Sequence, residues 1–592
     1  MKNKFFSTFV ACLLAIVASG VVMTVLSIVM FAGMLASFST TVSPVAAEAN
    51  SILKIDLSQP IVDNPSSDAM GGFDPLTMTF TEPVGLLDVI HTIEKAATDD
   101  NIRGIYISAD NAVGAGIATY EEFRAALKAF KENGKFIVSY ADVYSHGSYW
   151  LGSVADHVYM NPQGDLSWHG MASQVMFYKG LFDKLGIETE IFRVGEFKSA
   201  VEPYLLDKMS PENRQQMDVL LGDVWGNIVG QIAESRGIDS ALLQQYASEL
   251  SVRDASTAVE LDMIDGLKYN DEILAMLAEM SDRDEEPAFV SLEDYMDYPV
   301  KGTKKHLSKN KVQIVYAEGE IIDGEHEKGK IGGTALAREL ADLVDDDDVK
   351  AVVFRVNSPG GSALASELIW REVSRLREKK PVVVSMGNYA ASGGYYISAP
   401  ADMILADRGT LTGSIGVFGL MFNGEKALHD KLGITVDVVR TNPSADLPSP
   451  FRTMSAGERA YIQHSVEQVY ETFVGHVADG RNLAKDEVLK IAGGRVWSGI
   501  SADGIGLIDG FGGLKDAVAL AAERAGVADD FRVVGPQGEA DPLMIFVKMM
   551  GRRISALFGK ETPMMMQEYE EMMGVLKQQG VRAAMPYRIE IE

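Results

Sequence analysis

HGSYWLGSVADHVYMNP (residues 146–162) and SGGYYISAPADMILADR (residues 392–408) are two versions of one phrase. Each opens on a small polar turn, passes through a pair of aromatic residues, and runs by an Ala-Asp step into an apolar strand. The match extends outward with its order kept. DDNIRGIYIS (from Asp99) answers to DDDVKAVVFR (from Asp346), and LGIETEIFRVG (from Leu185) to LGITVDVVRTN (from Leu432). MSPENRQQM (from Met209) answers to MSAGERAYI (from Met454), and TAVELDMIDGL (from Thr257) to SADGIGLIDGF (from Ser501). The second copy follows the first by roughly 245 residues, a spacing that marks one fold written twice.

Each copy alternates short β-branched runs with amphipathic helical patterns. AVVFRVN (from Ala351) and PVVVSMG (from Pro381) read as buried strands, and SALASELIWREVSRLREKK between them has helical periodicity. Strand, helix and strand at this spacing make a βαβ unit with parallel pairing. The expected architecture is therefore α/β, with a first repeat domain over residues 49–298, a second over 299–535 and a tail over 536–592. Polar segments around Ser281–Pro287 and from Lys301 (KGTKKHLSKNK) bracket the junction.

The first 48 residues read as a separate element. No charged side chain occurs between Lys4 and Glu48, and the apolar portion from Val10 to Leu35 exceeds the roughly 20 residues needed to cross a bilayer. Val45-Ala46-Ala47 resembles a leader cleavage site, but the apolar run is longer than a leader's, so an uncleaved anchor is expected. Lys2 and Lys4 before the span place the N-terminus in the cytoplasm and the body outside.

Composition excludes other classes. A net charge of −29 over 592 residues lacks the basic stripes that displace counterions from nucleic acid. The single cysteine, Cys12, builds neither a disulfide framework nor a thiolate metal site, and the nine histidines show no ligand spacing. No metal and no cofactor are expected.

Two glycine-rich turns of the second copy carry the chemistry: NSPGGS (from Asn357) and AASGGYY (from Ala390). Both follow a parallel strand, at the edge where α/β sheets build sites. Gly360 and Gly361 allow consecutive N–H groups to face a carbonyl oxygen, and Ser392 presents a hydroxyl to the same carbonyl. Either turn alone is equally a tight turn or a phosphate cradle, although no P-loop Lys-Ser/Thr pair follows. The first copy differs where chemistry matters. It has His146 at the place of Ser392, and ADNAVG (from Ala109) in place of VNSPGG. In return it carries FRVGEFKSAVEP (from Phe192), whose Lys198 aligns near Ala445 in a segment without lysine. A lysine activates a serine only when neutral, which requires burial, here by Phe192, Phe197 and Val201. Against this stands a surface Lys198 paired with Glu202 at i+4.

With these motifs, joined by TLTGSIGV (from Thr410) and GRVWSG (from Gly494), the sequence resembles the signal peptide peptidase A family, also called protease IV, in its long tandem form, over nearly all of residues 50–530. The resemblance implies the fold shared by the Clp protease subunit and the crotonases. It makes Ser392 the nucleophile and Lys198 the general base, with Ser414 orienting the lysine and the N–H groups of Gly360, Gly361 and Gly393 as oxyanion candidates. It further implies a homotetramer tethered to the bacterial inner membrane that cleaves released signal peptides and other unfolded peptides.

Three rivals remain at this level: an acyl-CoA enzyme on the same fold, a non-catalytic membrane scaffold, and a Ser-His-Asp triad using His326, His429, His464 or His476. Fold alone leaves them open.

Overall fold

The computed structural model describes residues 47–65, 73–74, 79–80, 83–296, 308–535 and 580–584. The expected membrane span, the lysine-rich junction from Lys301 and the Met-rich part of the tail (MMMQEYEEMM, from Met564) lie outside the described residues. Among the described residues, no helix is long and apolar enough to cross a membrane.

The first copy is built on β1 (Ser51–Asp56), β2 (Ile102–Ser108), β3 (Phe136–Tyr144) and β4 (His157–Leu166), with β5 (Glu188–Val194) leaving that sheet. The second copy repeats the plan with β6 (Lys311–Glu318), β7 (Val349–Ser358), β8 (Gly360–Ser362), β9 (Val382–Ala391), β10 (Leu411–Gly413) and β11 (Val417–Asn423). A last strand, β12 (Gly580–Ala584), lies close to the C-terminus. The helices that matter for the site are α1 (His146–Gly152), α2 (Pro211–Arg236), α3 (Ala363–Arg377), α4 (Gly393–Ser398) and α5 (Ala456–Arg481).

Both main sheets follow from the expected pattern. In the first, β4, β3, β2 and β1 are successive parallel neighbours, flanked by Gly266–Leu267 and Ala288–Ser291. In the second, β10, β9, β7 and β6 are parallel neighbours in the same sense. Val352, Val353, Phe354, Val382, Val383 and Val384 are all buried, because helices cover both faces of the sheet and every residue of a central strand is inside. The repeated Met-Ser step marks the same helix start in each copy. Ser210 accepts from the Asn213 N–H at the start of α2, and Ser455 forms a capping box with Glu458 at the start of α5.

The two copies are not separate bodies on a linker. A third sheet has the order Lys330–Gly332, Glu320–Ile322, β8, β12, β11, β5, so a strand of the first copy completes a sheet of the second. A buried ionic latch adds to this. The Arg355 guanidinium donates to Asp63 at 2.7 and 2.9 Å and to Glu122 at 2.7 Å, both carboxylates coming from the first copy. Asp63 and Glu122 are as buried as Arg355, so each charge relies on the others for solvation.

Candidate active site

Ser392 sits at the turn from β9 into α4 with φ +57 and ψ −114. A non-glycine residue there costs about 1–3 kcal/mol, and such a sharp strand-to-helix turn lifts a side chain clear of its own backbone. The Ser392 N–H donates to the Gly413 carbonyl at 2.8 Å, which fixes the turn against β10.

Lys198 reaches this turn by strand register. β5 pairs antiparallel with β11, and Val194 lies opposite Val417. The residues just after Val194 therefore run beside those just before Val417, which are Ser414, Ile415 and Gly416. Lys198 Nζ lies 2.7 Å from Ser392 Oγ, 3.0 Å from Ser414 Oγ and 3.1 Å from the Ser414 carbonyl oxygen. Lys198, Ser392 and Ser414 are all fully buried. Burial holds the Lys198 amine well below the ordinary lysine range, and no carboxylate acts to restore it.

Glu202 does not take the i+4 role that a surface lysine would give it. It is buried, and its Oε2 accepts from Asn213 at 2.9 Å and from the Ser210 N–H at 3.2 Å. Of the expected apolar surround, Phe192 and Val201 are buried and Phe197 is half-buried.

The glycines converge on the serine. A Cβ added to Gly393 would lie 3.1 Å from Gly360 Cα and 3.1 Å from Gly361 N, so the three sit together. Gly393 opens α4, where N–H groups have no partner within the helix. The Gly360 N–H is already used, since it donates to Ser358 Oγ at 3.1 Å. The Gly393 N–H, in the first turn of α4, lies next to the serine, and Gly361 sits beside it in β8.

The histidines lie elsewhere. His326 accepts from the Gly332 N–H, His429 contacts Asp430, and His476 stacks on Trp370 and meets Glu367. His146, at the place of Ser392 in the first copy, is packed among Trp168, His169 and Trp225, and burial lowers its pKa to about 4. Among the described residues, no group of three or more metal-ligating side chains is arranged to hold an ion.

Two participants are given no role by the sequence reading, although Gly494 opens one of its motifs. Gly494 has φ +82, and its Cα faces the lysine so closely that a Cβ would lie 2.6 Å from Lys198 Cβ. Gln216 is buried and spans the copies. Its amide donates to Phe197 O at 3.3 Å and Ser199 Oγ at 3.0 Å, while its oxygen accepts from the Val496 N–H at 3.1 Å. The double glycine ahead of Arg495 was a visible signal for the first, but nothing local distinguishes Gln216 from its neighbour Gln215.

A buried serine hydroxyl beside a buried amine, at a strand-to-helix turn with the unpartnered N–H groups of a helix start, defines the equipment of a serine hydrolase. Residues 129–283 and 374–528 each match the model of Peptidase family S49. Protease 4 of Haemophilus influenzae is 37% identical over 462 residues, covering 76% of this chain and 74% of that protein. Protease 4 of Salmonella typhi is 37% identical over 493 residues, covering 81% and 79%. The chloroplastic serine protease SPPA of Arabidopsis thaliana is 31% identical over 464 residues, covering 77% and 68%. Among solved structures, the ClpP1 N165D mutant from Listeria monocytogenes aligns with a TM-score of 0.24 and 14% identity over 36% of this chain and 95% of that one. At that score the alignment adds nothing to the strand orders given above. The chain belongs to Peptidase family S49 and is a serine peptidase with the tandem repeat.

Proposed function

We propose that the chain is a membrane-anchored endopeptidase working through a Ser392/Lys198 dyad, with its nucleophile and base supplied by different repeats. The observation that carries this is the 2.7 Å approach of Lys198 Nζ to Ser392 Oγ, with both groups out of solvent. A neutral amine donates its two N–H groups to Ser414 O and Oγ, which leaves its lone pair aimed at the serine proton. Ser414 thus acts as a positioning residue. Ser392 Oγ attacks the peptide carbonyl as Lys198 takes the proton, and the Gly361 and Gly393 N–H groups receive the oxyanion. Collapse expels the amine, which leaves with the proton from Lys198. Water then hydrolyses the acyl-serine by the same base.

The substrate is an extended peptide. β12, a segment of this chain, pairs antiparallel with both β8 and β11, directly beside the Gly360–Gly361 turn, and a substrate strand is accommodated in the same way. Released signal peptides and other unfolded segments fit this requirement, since a folded chain cannot offer a free strand. The span Val10–Leu35 anchors the body to the outer face of a bacterial inner membrane, as part of a homotetramer.

The test is hydrolysis of an apolar leader peptide by the full chain in detergent, comparing wild type with Ser392→Ala and Lys198→Ala, all shown folded by circular dichroism. Both substitutions should abolish turnover, and a fluorophosphonate should add its mass to Ser392. Normal turnover by Lys198→Ala, or a mass on another serine, would overturn the assignment.

A further inference from the structure

A cavity of about 350 Å³ lies between the copies and shares no residue with the dyad. Its size is that of a small-molecule site. The helix Ile117–Lys131 of the first copy lines one side, and Asp407, Arg408, Phe511 and the start of the helix Leu514–Arg524 come from the second. Five carboxylates and two cationic side chains line it, together with apolar Ile90, Ala125 and Ala126.

Four of the carboxylates are matched. Glu121 accepts from Asn227, from Gln231 at 3.0 Å and from the Gly409 N–H at 2.8 Å. Glu122 accepts from Arg355 at 2.7 Å and from the Leu514 N–H at 2.6 Å. Asp516 caps its own helix by accepting from the Gly513 N–H at 3.0 Å, and Glu94 pairs with Lys515. The other cation, Arg408, lies over the Phe511 ring at 4.3 Å.

Asp407 is left over. It is 8% exposed, and among the described residues its Oδ2 has no hydrogen-bond partner. Arg355 does not serve it, because that guanidinium donates to Asp63, Glu122, Ser385 and the Met386 carbonyl. Burial, with Glu122 and Glu121 close by, raises the Asp407 pKa well above the ordinary carboxylate range. The fold does not demand an acid here. In the matching phrase of the first copy the position is Asn161, whose amide donates to Asp142. A buried polar atom without a partner costs about 1–3 kcal/mol, which a donor arriving from outside the chain would recover.

We infer that this cavity binds a primary alkylammonium ion, with its N–H groups donating to Asp407 and its carbon chain resting on Ile90, Ala125 and Ala126. The acidic lining selects a cation, and Oδ2 requires one that carries N–H donors. The space exceeds what a single metal ion fills, and among the described residues no cluster is arranged to hold one. On binding, Asp407 releases its proton to solvent and the ammonium takes the proton's place, so charge is conserved in the cavity wall. The site stands at the foot of β10. The Asp407 N–H donates to Thr410 Oγ1 at 3.1 Å, that hydroxyl donates to the Gly387 carbonyl at 2.9 Å, and β10 ends at Gly413, which accepts from the Ser392 N–H. The inference goes beyond the proposed function and does not rest on the dyad.

The test is isothermal titration calorimetry of the full chain in detergent, with diaminobutane carrying an amine at each end as the probe. Binding should be saturable, and in buffers of different ionisation enthalpy the heat should report proton release. Tetramethylammonium, which has the charge but no N–H donor, should not compete. Asp407→Asn should weaken binding by about tenfold or more and end the proton release. Ala125→Leu, at an exposed helix position on the cavity wall, should weaken binding as much with Asp407 intact, and serves if the first variant does not fold. Acetyl-lysine amide in place of the diamine separates the sources: tighter binding would assign the ammonium to a peptide side chain, weaker binding to a free amine. No saturable heat at millimolar amine, competition by tetramethylammonium, or a folded Asp407→Asn that binds like wild type would overturn the site.

Discussion

Replacing Gly494 by alanine tests the placement of the lysine without touching either reacting group. The added Cβ would lie 2.6 Å from Lys198 Cβ and 2.8 Å from its Cα and N. Carbon atoms settle at about 3.5–4.0 Å, so the lysine backbone must retreat by about 1 Å. A displacement of that size in a catalytic group lowers turnover by about 10²-fold, or ~2.7 kcal/mol of barrier. The φ of +82 at Gly494 adds a stability penalty of about 1–3 kcal/mol that has nothing to do with the lysine. Gly493→Ala separates the two effects. Its φ is +67, but its nearest Cβ contacts lie at 3.8 Å, so it meets the backbone penalty without the clash. The assay is kcat and KM for a fluorogenic leader peptide, with urea unfolding in parallel. Gly494→Ala should lose kcat about a hundredfold with KM little changed, and Gly493→Ala should lose comparable stability while keeping most of kcat. A folded Gly494→Ala within about threefold of wild type would refute the argument, since the lysine would then not set the rate.

Other consequences follow from the same geometry. Burial lowers the Lys198 pKa, and in the proposed dyad the free base is the active form, so kcat/KM should rise with pH through the folded-state value and then level off. The unfolded chain keeps that proton up to about pH 10.4 while the folded chain releases it earlier, so this group's contribution to stability grows as pH rises between the two values. Lys198→Met should therefore be more stable than wild type at neutral pH, with the gap in urea midpoint closing towards pH 10; a constant gap would count against a buried amine. Arg355→Met leaves Asp63 and Glu122 buried and unpaired, and should destabilise the chain by about 3–5 kcal/mol in urea unfolding, whereas a loss below about 1 kcal/mol would mean the latch is solvated. A chain ending at residue 579 lacks β12, which lies between β8 and β11, and should show a lower KM for extended peptides. An unchanged or higher KM would argue that substrate binds elsewhere.

The repeat, the parallel α/β plan of each copy and the two glycine-rich turns are legible in the sequence, because these depend on patterns within tens of residues. Alternating and continuous apolar runs specify which faces are buried wherever they occur, and the loss of serine from one copy and of lysine from the other is visible in the matched phrases. What the sequence could not determine is how residues 194 positions apart come to lie at 2.7 Å. That was decided by the register of β5 on β11, which carries the lysine of one copy past the serine of the other, and by Gly494 and Gln216, which hold it there. Tertiary structure also decided the protonation chemistry. The sequence offered both a buried neutral Lys198 and a surface cation paired with Glu202, and only enclosure by strands distant along the chain decides for the first by removing the water that keeps the amine charged.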